Sequence, residues 1–119
     1  MKILNYNEND LKIASESIIN GDLVIFPTET VYGLGANALN ETAVKKIYEA
    51  KQRPTNNPLI VHLANKEDIL KYAIINSPIE QKLINKFMPG PFTLILEKKD
   101  LIPNIVTCNM NTVGIRIPN

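Results

Sequence analysis

Hydrophobic and polar positions follow two different periods along this chain, and the switches between them mark out its elements. Leu11, Ala14 and Ile18 recur at helical spacing behind Asn9 and Asp10, either of which can cap a first helix, and Gly21 is placed to end it. Leu23-Val24-Ile25-Phe26 is instead a continuous apolar run stopped by Pro27. That pattern suits a strand buried on both faces, and it makes this segment the candidate central strand. Asn40 is a good N-cap for a helix in which Ala43, Val44, Ile47 and Ala50 form one apolar stripe while Lys45, Lys46 and Glu49 face away. The helix is expected to stop near Gln52, because Pro54 disfavours helical geometry at Arg53.

The turn signal Asn56-Asn57-Pro58 introduces a second strand, Leu59 to Leu63. Asn65 is expected to cap a helix bearing Ile69, Leu70, Ala73 and Ile74. Ser77-Pro78-Ile79-Glu80 then combines a capping box with proline at the first helical position. Pro89-Gly90-Pro91 breaks the chain, Phe92 to Leu96 reads as a third strand and Val113 to Ile117 as a fourth, with an irregular connection between them. Strands separated mostly by helices predict an α+β (mixed α/β) fold, a mixed sheet covered by helices, in which strands three and four can pair antiparallel. With 119 residues, 45% of them hydrophobic, the expectation is one domain over 1–119 and no more.

Composition narrows the function classes. Lys plus Arg is 13 and Asp plus Glu is 12, a formal net charge of +1, so bulk electrostatics do not advertise a nucleic-acid binder. No apolar run approaches a membrane span and the first ten residues lack the core of a signal peptide, which makes a cytoplasmic location the expectation. The single cysteine, Cys108, excludes an internal disulfide. The single histidine, His62, excludes a Cys/His zinc cluster, and no metal site is expected from side chains. Both arginines, Arg53 and Arg116, fall in segments where chemistry can sit.

Four segments are candidates. Pro27-Thr28-Glu29-Thr30-Val31-Tyr32-Gly33-Leu34-Gly35 puts hydroxyls and glycines at the carboxyl end of a strand, the usual ligand side of an open sheet with parallel strands; the alternative is an ordinary strand-exit loop. Lys51 and Arg53 point the same way if Pro54 holds Arg53 extended, and beside the amides of Asn56 and Asn57 they suit a phosphate chain. The plainer account is a solvated basic helix terminus. His62 shares a strand face with Ile60 and sits close after that turn, where it could hydrogen-bond a hydroxyl or carboxylate, or serve structure alone. On the last strand Val113, Ile115 and Ile117 make one apolar face, and Thr112, Gly114 and Arg116 make the other. Bare backbone at Gly114 admits a ligand closely and Arg116 could clamp a carboxylate or phosphate, unless the strand is simply half exposed.

Lys51-Gln-Arg53-Pro54-Thr-Asn-Asn57-Pro58-Leu59, Pro27-Thr-Glu-Thr30-Val-Tyr32-Gly33-Leu34, Pro89-Gly90-Pro91-Phe92-Thr93 and Val113-Gly114-Ile115-Arg116-Ile117-Pro118 together resemble the YrdC-like threonylcarbamoyl-AMP synthase family, from about Gly21 through nearly the whole chain. The resemblance implies a three-layer YrdC-like fold with a twisted mixed sheet. It implies synthesis of threonylcarbamoyl-AMP and pyrophosphate from L-threonine, bicarbonate and ATP, with Mg2+ accompanying ATP. A downstream tRNA threonylcarbamoyl transferase complex would then modify the adenosine next to the tRNA anticodon. By the same resemblance Lys51 and Arg53 are the catalytic pair and Arg53, Asn57 and Thr112 lie near ATP. Thr30, His62 and Arg116 would hold threonine, with Tyr32 and Thr93 as pocket walls.

The chain departs from the family in one respect. Members continue into a Ser-x-Asn motif that completes the nucleotide site, whereas none of Ser15, Ser17 and Ser77 has Asn two positions later. The expectation is therefore a C-terminally truncated chain, either a fragment of a longer protein or a truncated copy that cannot complete catalysis, inactive or nearly so alone, whose last strand is an uncovered, aggregation-prone edge. The second reading, from another class, is a non-catalytic module of the same fold that binds double-stranded RNA or tRNA, for which Lys45, Lys46, Lys51 and Arg53 would supply a local patch.

Overall fold

A computed structural model of the chain describes residues 4, 7–27, 32–51 and 58–118. The chain divides into two compact units, Met1–Arg53 and Pro54–Asn119, each built from helices and strands, and its class is mixed α+β.

The first unit opens with α1 (Glu8–Ile19). Its cap is Asn7, whose side chain accepts from the Asp10 amide at 2.8 Å, so the cap falls two residues before the earlier of the two expected caps. Asn7 wins because its oxygen reaches the free N–H three residues on, while Asp10 is left to add negative charge to the first turn. Beyond the helix Gly21 takes a left-handed φ of 91°. A Cβ there would stand 3.0 Å from Asn40 Nδ2. Asn40 in turn caps α2 (Glu41–Lys51) through the Ala43 amide at 3.1 Å, and Lys46 Nζ donates to the Gly21 carbonyl at 3.1 Å. The buried stripe of α2 is Ala43, Val44, Ile47 and Tyr48. Tyr48 replaces the expected Ala50, which lies about 90° from the stripe's centre at 3.6 residues per turn and is exposed.

The apolar run after α1 forms β1 (Val24–Pro27), which pairs antiparallel with β2 (Tyr32–Gly35). Two expectations change here. Tyr32 to Gly35 is a strand rather than a loop, and among the described residues β1 has β2 as its one neighbour, with Ile25 61% exposed, so it is not a strand buried on both faces. The glycines supply the reason. The Phe26 ring folds across β2, where a Cβ on its partner Gly33 would come within 2.8 Å of the ring and one on Gly35 within 2.9 Å. A side chain at either position would expel the ring.

The second unit is a four-stranded sheet in the order β3-β6-β5-β4, formed by β3 (Ile60–His62), β4 (Ala73–Ile74), β5 (Thr93–Lys98) and β6 (Thr112–Arg116). β3 runs parallel to β6, and β5 runs antiparallel to both β6 and β4. The expected antiparallel pairing of the third and fourth predicted strands is thus observed. The last strand, expected at an edge, is interior: β6 is hydrogen-bonded on both sides, because the helical crossover after β3 brings that strand alongside it in parallel.

Asn65 makes no side-chain cap. A short 3-10 turn (Lys66–Asp68) leads instead into α3 (Ile69–Tyr72), and Ala73 and Ile74, expected in the helix, leave it as β4. α4 (Pro78–Phe87) follows its sequence signal closely, with proline at its start and Ser77 Oγ accepting from the Glu80 amide at 3.3 Å. Glu80 returns the bond to the amide of Asn76, one residue before the cap. One face of the sheet carries the core: Val61, Ala73, Leu96, Val113, Ile115 and Ile117 are buried, as are Ile69 and Ile84 from the helices. Truncating a side chain such as Ile115 to alanine would cost about 2–5 kcal/mol. The apolar face predicted for the last strand is therefore the core face, and Thr112, Gly114 and Arg116 point the other way.

Candidate functional site

Registration across three strands assembles a site in the second unit. Arg116 is opposite His62 on one side and Thr93 on the other, so the three side chains form one row on the outward face, with neighbouring strands about 4.8 Å apart. The next row down is Ile60, Gly114 and Ile95, and below it Thr112 faces Glu97. The buried alternation of the same strands forces this arrangement. Once Val61, Ile115 and Leu94 turn inward, His62, Arg116 and Thr93 must turn outward together.

The row is electrostatically incomplete. Among the described residues Arg116 Nε is the one buried side-chain nitrogen or oxygen with no hydrogen-bond partner. A buried N–H on a cation is costly to leave unpaired, so the position is tuned to accept an anionic or carbonyl oxygen. Partial burial of His62, helped by the Arg116 charge beside it, holds its imidazole below the ordinary value of 6.5. Near neutral pH the ring is uncharged, with one nitrogen free to accept and the other to donate. Thr93 adds a hydroxyl. A guanidinium fork, a neutral imidazole and a hydroxyl on one row fit a small polar molecule bearing a carboxylate.

A groove of about 220 Å³ lies beside the row, lined among others by Pro58, Ile60, Thr93, Ile95, Met110 and Thr112. Gly114 forms part of its lining, and a Cβ there would stand 3.3 Å from Thr93 Cγ2 and 3.7 Å from Ile60 Cγ1. The groove is mostly apolar, with threonines among its lining residues, which suits a flat ring system more than a phosphate chain. Its far wall is the turn 104–110 of the irregular connection, whose residues Cys108 and Asn109 take left-handed φ values of 54° and 65°.

The predicted residues divide as follows. His62, Arg116 and Thr93 are brought together, and Thr112 lies on the same face at the groove. Lys51 is the exposed last residue of α2, and Tyr32 begins β2 with 75% of its surface exposed; both belong to the first unit. Thr30, Arg53 and Asn57 lie outside the described residues. Sequence reasoning did not single out Ile95, Met110 and Thr107 as groove residues. Ile95 carried a usable signal, since it stands two positions from Thr93 on the same strand face. Among the described residues no three His, Cys, Asp or Glu groups gather into a metal site, and no helix is long and apolar enough to cross a membrane.

The Sua5/YciO/YrdC domain family, described as "Telomere recombination", matches residues 16–119. The chain is 49% identical over 108 residues to the threonylcarbamoyl-AMP synthase of Pyrococcus abyssi, covering 91% of this chain and 32% of that protein. It is 46% identical to the putative threonylcarbamoyl-AMP synthase of Methanocaldococcus jannaschii, covering 100% of this chain and 58% of that protein. Among solved structures it superposes on P. abyssi Sua5 complexed with L-threonine with a TM-score of 0.89 and 47% identity, over 96% of this chain and 34% of that one. The chain thus spans between about a third and three-fifths of the length of these relatives.

Proposed function

Since the chain belongs to the Sua5/YciO/YrdC family, we propose that it carries the threonine-binding part, and some of the nucleotide-binding part, of a threonylcarbamoyl-AMP synthase. The observation that carries this reading is the row of His62, Arg116 and Thr93 with its unpaired Arg116 Nε, in a chain similar to a synthase crystallised with L-threonine. Arg116 receives the carboxylate of threonine, while neutral His62 and Thr30 hydrogen-bond its polar groups. Thr112 and the groove beside it receive the nucleotide.

The chemistry asks for positioning rather than a protein nucleophile. The threonine amine and bicarbonate condense to a carbamate, whose oxygen attacks the α-phosphorus of ATP. The bond from that phosphorus to the bridging oxygen breaks, and pyrophosphate leaves. The enzyme must hold the carbamate near the phosphorus and neutralise the charge that accumulates on the phosphates. Lys51 and Arg53 are the cations for that task, with Asn57 as an amide donor to the nucleotide. Magnesium travels with the triphosphate as part of the substrate, held by phosphate oxygens and water. The product is the donor for threonylcarbamoylation of tRNA by a separate transferase complex. A cytoplasmic location, expected from the sequence, accompanies this reading.

Pyrophosphate release by the full-length protein tests it. Release is expected only when L-threonine, bicarbonate and ATP are all present, and equal release without threonine overturns the proposal.

A further inference from the structure

We infer that Thr107 is a positioning residue for the nucleotide side of the site, acting through the main chain of the turn 104–110. This inference rests on the reading that the groove receives the nucleotide.

Thr107 is 1% exposed, and among the described residues it alone combines full burial with a polar side chain. Its Oγ1 donates to the Met110 carbonyl at 2.9 Å, with the Asn104 carbonyl at 3.4 Å, and the Met110 amide returns a bond to the Thr107 carbonyl at 3.0 Å. Residues 107 and 110 are thus clasped in both directions across Cys108 and Asn109. Those two non-glycine residues hold left-handed backbone that would otherwise relax. Asn109 is tied back to the Asn104 carbonyl at 2.9 Å.

The clasp matters because of what hangs on it. Met110 lines the groove, and Thr112 begins β6 two residues later. On the opposite side the Leu59 amide donates to the Val106 carbonyl at 2.9 Å, which fixes the segment leading into β3, including Pro58 and Ile60 on the other groove wall. Residues 106–110 therefore set the width of the groove from both sides. Thr107 joins the two attachments, next to Val106 in the chain and bonded to Met110. A valine of nearly the same shape keeps the packing and the main-chain bond but removes the side-chain half of the clasp.

The test uses Thr107→Val and Thr107→Ser in the full-length protein, titrated separately with Mg-ATP and with L-threonine. For Thr107→Val, ATP affinity is expected to fall about fivefold, the loss of one buried hydrogen bond converted to a ratio. Threonine affinity should stay within twofold, because neither His62 nor Arg116 lines the groove, whereas Thr107 and Met110 do. Thr107→Ser, which restores the hydroxyl, should bind ATP as the wild type does. Thr107→Ala is the second hydroxyl-free variant should valine fail to fold. Unchanged ATP affinity in a folded hydroxyl-free variant overturns the inference, as do equal losses for both ligands, or unfolding of both the valine and alanine variants. Failure of the wild type itself to bind ATP instead removes the reading on which the inference rests.

Discussion

Arg116 offers the sharpest separation between binding and stability, because its Nε is buried without a partner. In the ligand-free protein an unsatisfied buried donor costs about 1–3 kcal/mol, and a charge-assisted bond to a ligand oxygen contributes about 1.5–3 kcal/mol. Replacing Arg116 by methionine keeps most of the apolar stem in place while deleting both the orphan donor and the charge. The two effects then carry opposite signs. L-Threonine affinity, measured by isothermal titration of the full-length protein, should fall about 10- to 150-fold, the equivalent of that lost bond. The thermal midpoint of the ligand-free protein should hold or rise by a few degrees, given roughly 4–8 °C per kcal/mol in a small domain. Arg116→Lys, which keeps the charge but not the planar fork, should bind with intermediate affinity. A methionine variant that binds threonine within twofold of wild type refutes the assignment. So does one whose affinity and stability fall together, since Arg116 would then be a structural clamp of the sheet.

Two further outcomes follow from the same row and its neighbour. Because His62 titrates below 6.5 in the folded chain, the unfolded chain takes up its proton first as pH falls. Stability from the neutral ring is therefore complete above about 6.5 and is lost as pH falls through the folded value. Urea midpoints should drop less between pH 7.5 and 5 in His62→Gln than in wild type, and parallel profiles would contradict this. Gly114→Ala adds a methyl group 3.3 Å from Thr93 Cγ2 at the groove, on a strand backbone that tolerates alanine. ATP affinity should drop about tenfold, or ~1.4 kcal/mol, with the fold retained by circular dichroism, and unchanged affinity would show that the ligand does not approach this strand.

What could be read before folding was periodic, and what could not was relational. The two faces of Thr112 to Ile117 were legible because burial on a strand repeats every second residue, and Ser77 announced α4 because its hydroxyl and the first free amides are neighbours in the chain. Asn40 was legible for the same local reason. The convergence of His62 with Arg116 and Thr93 had no such local signature, since it depends on β3 entering beside β6 in parallel, a choice made by the crossover and not by either strand. The first apolar run misled because Gly33 and Gly35 lie on another strand: a flat glycine surface let Phe26 find its cover locally, and so exposed Ile25. The turn 104–110 was opaque for a different reason, since Cys108 in left-handed backbone follows no propensity and is held there by contacts that form only once Thr107 is buried. A sequence pattern can therefore establish which face of β6 is polar, but the chemistry of that face is decided by the register of Arg116 with Thr93 and His62, 23 and 54 residues away. The threonine and nucleotide assignments accordingly stand or fall with that register: if His62 and Arg116 are neighbours, exchanging each singly and both together must give non-additive losses of threonine affinity, whereas additive losses would place them apart.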